Sequence, residues 1–181
     1  MRARGTPGAS ALRPVGNDPR MTTRGLALIA AASLAPAAGA MATPLPDHLI
    51  RPGVGAGGVR LGMSEGEVLK VLGQPDTRVP RRTGLGAFID LAWPGITVRR
   101  WDGAGGRVVN IAITDRGIRM RNGVGVGSSR AAVRKALPGT DCDESPRLCM
   151  IGEAIPGNTV TTIRFGRTKR VTEVSVGRVI D

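Results

Sequence analysis

The sequence predicts an α+β fold of two tandem modules, each a short helix packed on a three-stranded antiparallel meander. Three observations carry that expectation. First, residues 58–76, GVRLGMSEGEVLKVLGQPD, recur in degraded form 65 residues later as residues 123–141, GVGVGSSRAAVRKALPGTD, which keep Gly123, Val124, Gly127, Ser129, Val133, Lys135 and Leu137 at one offset. Second, each copy holds the start and stop signals of one short helix. Third, behind each copy come runs of alternating apolar residues broken by Pro-Gly or Asp-Gly pairs, the pattern of half-buried strands joined by turns.

The N-terminal stretch reads as leader and export signal. Residues 1–20 are rich in Gly, Pro and Arg without periodicity, as a disordered leader or an over-extended start would be, with Met21 as the alternative initiator. Residues 21–42, MTTRGLALIAAASLAPAAGAMA, carry Arg24, an apolar run from Leu26 to Leu34, and small-residue exits at Ala38-Gly39-Ala40 and Ala40-Met41-Ala42. That is the form of a secretory signal peptide. The run falls short of the roughly 20 apolar residues that span a bilayer. No cysteine follows it to carry a lipid anchor. Export predicts an oxidising space, in which Cys142 and Cys149 close a small disulfide loop worth about 2.5 kcal/mol in the chain-entropy model.

The formal charge is +12. Leaving out the first 40 residues removes five arginines and one aspartate, so 21 basic residues still face 13 acidic ones. Such a balance suits nucleic acid, anionic lipid or an acidic cell-wall polymer, or simply a solvated arginine-rich surface. The export signal disfavours nucleic acid, and so does the scarcity of aromatic side chains among the basic ones: two Trp, two Phe and no Tyr.

Residues 43–57, with three prolines, read as an extended linker. The formal G-x-G-x-x-G at Gly53, Gly55 and Gly58 lacks the preceding strand that a dinucleotide site needs, and Pro52 stands where that strand would end. The first module covers residues 58–116. Ser64 and Glu67 form a capping box, Met63 and Val68 a hydrophobic staple across it, Gly73 supplies the C-cap, and Pro75 stops the helix. Residues 79–86, with Arg81 and Arg82, read as a basic loop. Strands follow at 87–93, 96–101 and 107–113, the first placing Ile89, Leu91 and Trp93 on one face.

The second module, residues 117–181, opens with a short strand at 117–121 and an Asn122-Gly123 turn. A helix at 130–137, the cysteine loop, and strands at 148–154, 159–165 and 170–177 come next. Pro94-Gly95 corresponds to Pro156-Gly157, and Val108, Ile111 and Ile113 to Val171, Val174 and Val176. The predicted core is Val68, Leu72, Ile89, Leu91, Val98, Ile111, Ile113, Val133, Leu137, Ile163, Val174 and Val176.

No residue set reads as catalytic, metal-binding or cofactor-binding. Ser64, Ser128, Ser129 and the cysteines lack a base, since the single histidine, His48, lies in the linker and no G-x-S-x-G elbow occurs. Glu65 and Glu67 diverge at a helix start, where they serve the dipole and the cap. Asp141, Asp143 and Glu144 read as a solvated turn. The glycine-rich run at 123–129 is either an anion cradle at a helix start or a hinge for close packing; the missing P-loop Lys favours the hinge.

The motif G-x-x-x-G-M-S-x-x-E-V-x-x-x-L-G-x-P from Gly58 to Pro75, with a meander behind it, resembles the domain of the small lipoprotein of the outer-membrane β-barrel assembly machinery. Its doubling is similar to the secreted β-lactamase inhibitory protein, in which two such units present a joint sheet surface. The resemblance covers about residues 57–181 and implies an exported, non-enzymatic binding or envelope-assembly module that recognises a protein or cell-envelope partner. The alternative is a secreted enzyme or an anion- or polyanion-binding protein. Strand alternation puts Arg99 and Trp101 on the face away from the helix, with Asn110 and, from the second unit, Arg164. This joins the two residue types that dominate binding hot spots. Trp101 either anchors such a site or fills a seam between the modules.

Overall fold

The computed structural model describes residues 47–143 and 147–180. The leader, the signal peptide and the start of the expected linker lie outside them, as do Glu144, Ser145 and Pro146 of the cysteine loop. The described chain is mostly β. Strands β1 (Ile50–Arg51), β2 (Gly55–Ala56) and β3 (Val59–Arg60) make a small antiparallel sheet. Helix α1 (Glu65–Leu72) leads into β4 (Thr77–Thr83), β5 (Gly86–Trp93), β6 (Ile96–Trp101) and β7 (Val108–Ile113). Helix α2 (Arg130–Ala136) leads into β8 (Asp141–Asp143), β9 (Leu148–Ile151), β10 (Thr159–Phe165) and β11 (Val171–Arg178). The last eight strands form one sheet in the order β4-β5-β6-β7-β11-β10-β9-β8.

This overturns the expectation of two helix-on-meander modules. The final strands of the two halves, β7 and β11, pair antiparallel with Ile113 opposite Val174 and Ile111 opposite Val176. A meander ending in an unpaired apolar strand has an open ladder of N–H and C=O groups, and joining the two ends satisfies both at once. Each half also supplies a fourth strand. Residues 77–83, which overlap the stretch 79–86 read as a basic loop, are β4 at the sheet edge, exposed along its whole length. With no buried face it shows no apolar alternation, and Pro80, Arg78, Arg81 and Arg82 blunt the open edge. In the stretch read as a linker, β1 and β2 place Ile50 and Ala56 in the core. The short strand expected at 117–121 is reduced to single bridges from Arg119 to Leu49 and Gly125.

The helices form where the chain signals them. Ser64 accepts from the Glu67 N–H while the Glu67 carboxylate accepts from the Ser64 N–H at 2.7 Å. That bonding with Ser64 holds the Glu67 carboxyl below its ordinary pKa. Gly73 takes φ +75° and ends α1, a conformation that costs glycine little. In α2, Ser129 caps Ala132 N–H at 3.2 Å, and Leu137 rather than the following Pro-Gly is the C-cap.

The two helix starts dock through matching bonds. Val108 N–H donates to Met63 O at 2.9 Å and Gly62 N–H to Val108 O at 2.8 Å, while Val171 N–H donates to Ser128 O at 2.9 Å and Gly127 N–H to Val171 O at 2.8 Å. Each half carries a bulge beside this contact, at Arg99/Arg100 against β7 and at Arg164/Phe165 against β11. In the first half Arg100 Nε reaches Glu65 at 2.7 Å from a buried position; in the second the guanidinium of Arg130 lies 5.5 Å from the Phe165 ring. An ion pair and a cation–π contact thus hold the two helix starts at corresponding points.

One core lies on one face of the large sheet. Val68 and Leu72 of α1, Val133 of α2, and Ile50, Ala56 and Val59 of the small sheet pack with Ile89, Leu91, Trp93, Val98, Ile111, Ile113, Ile163, Val174 and Val176. Leu137 is partly buried at its margin. The bulge puts Val108 in this core beside Ile111 and turns Val109 to the other side.

Candidate functional site

The face opposite the core is uncovered by any described element, and register fixes what it shows. A central row runs straight across the strands: Thr77, Ala92, Thr97, Ala112, Ser175, Thr162 and Met150. These side chains are mostly small, so the row forms the floor. One bank carries Asp90, Arg99 and Asn110 in register; the other carries Glu173 and Arg164, directly opposite each other. Together they bound an open concavity of about 540 Å³ that also takes in Phe88, Leu85, Arg178 and Ile180.

Arg99 is fixed from two sides. Its Nε donates to Asp90 Oδ1 at 2.6 Å and its Nη2 to Asp90 Oδ2 at 2.9 Å, while Arg81 Nε adds a third bond to Oδ2 at 3.3 Å. The same guanidinium lies 5.8 Å from the centre of the Phe88 ring. The Arg99 hydrogen bonds hold the Asp90 carboxyl below its ordinary pKa against the opposing effect of burial, and the Arg99 pKa is raised in return. Asp90 is therefore an orienting anion and a poor proton acceptor at neutral pH.

Trp101 stacks on buried Phe88 with ring centres 4.4 Å apart and planes 26° from parallel. Gly86 makes room for it: a Cβ there would stand 2.7 Å from Trp101 Cζ3. Trp101 thus sits over the β4–β5 hairpin on β6, away from the β7–β11 junction, and does not fill a seam between the halves. Asn110 lies likewise over Gly177, where a Cβ would come within 2.6 Å of its amide nitrogen.

The structure brings Arg99 and Arg164 onto one concavity, with Trp101 beside it on the Phe88 ring that lines it. Arg164 Nε stands 3.7 Å from Glu173 Oε1. Phe88, Asp90 and Arg81 belong to this cluster and were missed as site residues. Asp90 is the one charge inside an otherwise apolar strand, which is the signal that could have found it.

Other candidates are built into the fold. Glu65 pairs with Arg100 and Arg78, and Glu67 closes the helix cap. In the glycine-rich run read as cradle or hinge, Gly123 N–H goes to Met120 O, Gly125 N–H to Ser128 Oγ and Ser128 N–H to Gly125 O, closing the turn, while Gly127 N–H goes to Val171 O and docks it on β11. Cys142 and Cys149 are bonded, as expected, and face each other across the β8–β9 hairpin. No group of His, Cys, Asp and Glu suited to a metal ion occurs among the described residues, and no described helix is long and apolar enough to cross a membrane. Comparison with protein-family models, with curated proteins and with solved structures finds no match to this chain.

Proposed function

We propose that the protein is an exported, non-enzymatic binding protein that engages a protein or cell-envelope component on the open face of its large sheet. The observation that carries this reading is the Phe88–Trp101–Arg99–Asp90 cluster: an aromatic ring and a guanidinium presented at the rim of a concavity, each fixed from beneath. Rigid Trp and Arg side chains lose little entropy on contact and dominate binding hot spots. The Cys142–Cys149 disulfide favours an oxidising compartment, and the export-signal pattern of residues 21–42 points the same way. The resemblance to envelope-assembly and secreted inhibitory domains supports a role in recognition.

The test is capture from a cell-envelope extract by the immobilised full chain, compared with an Arg99→Ala/Trp101→Ala variant. A partner retained by the native chain and lost by the variant, with the fold intact, is the expected result. Retention indifferent to both substitutions would move the function to another surface.

A further inference from the structure

We propose that the open face takes an acidic peptide segment in extended form, laid across the strands with its carboxylates shared between Arg99 and Arg164. This rests on the open-face reading above and names the chemistry of the partner. Of the ion pairs on this face, it is the guanidinium partner that lies open to solvent. The Arg99, Arg81 and Arg164 side chains are 41%, 58% and 55% exposed, while the carboxylate partners Asp90 and Glu173 are 12% and 34% exposed. The acids orient the bases from below, and the forks that remain outward suit the paired oxygens of a carboxylate. The excess of positive charge beyond residue 40, 21 basic residues against 13 acidic ones, draws the same class of ligand in from a distance.

Spacing sets the length. Arg99 on β6 and Arg164 on β10 are three strand steps apart, about 14 Å at ordinary strand spacing. Arg99 shares a row with Gly177 through Asn110, and Arg164 shares one with Glu173, so the rows are separated by the four residue steps from Glu173 to Gly177. Along the strand that is about 13 Å. The diagonal between the arginines is therefore about 20 Å, or about six residues of extended chain. Between them Thr97, Ala112 and Ser175 floor the concavity with short side chains that leave space for a peptide backbone.

The experiment is a titration of the full chain with fluorescein-labelled deca-glutamate and tri-glutamate at fixed salt. Deca-glutamate, long enough to reach both arginines, should bind at least about tenfold more tightly than tri-glutamate, because the second contact becomes intramolecular. Arg99→Ala/Arg164→Ala should weaken deca-glutamate at least about tenfold, whereas Lys70→Ala/Lys135→Ala, which removes two exposed charges from the helices on the opposite face, should change it less than about twofold. Arg164→Ala alone leaves Asp90 paired and keeps the test readable where the double variant loses its fold; it should weaken binding about threefold. Absence of deca-glutamate binding, equal affinity for the two lengths, or equal loss in both double variants overturns the proposal. So does tighter, arginine-dependent binding of single-stranded RNA or phosphatidylglycerol vesicles. If deca-glutamate fails while partner capture still depends on Arg99 and Trp101, the acidic-peptide inference falls and the open-face reading stands.

Discussion

Arg99 and Arg164 stand at corresponding points of the two halves of the sheet, each one residue before a bulge and each directly across from the last strand of its half, at Asn110 and Glu173 respectively. They differ in what holds them. Arg99 is bonded outward to Asp90 on β5, and Arg164 is paired inward to Glu173 on β11. The same position thus carries one rigid guanidinium and one looser one.

Asp90 should make stability acid-sensitive. Its pKa is depressed in the folded chain, chiefly by Arg99, so the stabilisation is fully present above the ordinary carboxylate value of 3.8 and is lost as pH falls through the lower folded value. Urea melts of native chain and Asp90→Asn should differ by about 1 kcal/mol at neutral pH, a modest figure because the Arg99 side chain is 41% exposed. The two melts should converge below that range. A constant gap down to strongly acid pH would exclude the ion pair as its source.

Gly86→Ala should disturb Trp101. Gly86 has φ +130°, and the new methyl group would meet the indole at 2.7 Å. The expected cost is about 1–3 kcal/mol, with a change in near-ultraviolet circular dichroism as Trp101 leaves Phe88. Trp101→Ala removes a half-exposed stacked ring and should cost only about 1–2 kcal/mol. A loss of several kcal/mol, measured by thermal or urea unfolding, would make Trp101 a core residue and remove it from the site.

The two helix caps should be unequal. Ser64 takes part in a reciprocal box with Glu67, whereas Ser129 makes a single cap bond because Ala132 occupies the corresponding third position. Ser64→Ala should cost about 1 kcal/mol and Ser129→Ala less, by equilibrium unfolding. Equal losses would show that the second bond of the Ser64 hydroxyl, to Glu67 Oε2, adds nothing.

Reduction of the Cys142–Cys149 bond should lower stability by about 2–3 kcal/mol while leaving the concavity intact, since β8 and β9 lie at the far edge of the sheet. Cys142→Ala/Cys149→Ala, melted in parallel with the native chain, checks the magnitude. Loss of Trp101 fluorescence character on reduction would contradict the separation of edge and site.

What the sequence made legible follows from local signals. Ser64, Glu67 and Gly73 fence α1, and alternation marks Ile89, Leu91 and Trp93 as inward, because caps and strand pleat act within a few residues. The strands at the edges were not legible. Thr77–Thr83 and Asp141–Asp143 bury no continuous face, so nothing in their composition separates strand from loop. Nor could alternation foresee that Ile113 would pair with Val174, since an apolar strand end is equally served by any open edge. Of the site, parity alone puts Arg99 and Trp101 on the side of β6 away from the core and Arg164 on the corresponding side of β10, while the β7–β11 pairing makes these one face. Their carboxylate and aromatic supports, Asp90 and Phe88, required the register of β5 against β6.

The open face as the contact surface is tested most directly by the accessibility of Trp101. The chain has two tryptophans, and buried Trp93 has no hydrogen-bond partner for its Nε1 among the described residues, so Trp93→Phe loses no such bond and leaves Trp101 as the only reporter. In that variant iodide should quench Trp101 fluorescence in the free chain, and addition of the purified captured partner should suppress the quenching severalfold. Quenching unchanged on saturation with the partner would place the contact elsewhere and contradict the account.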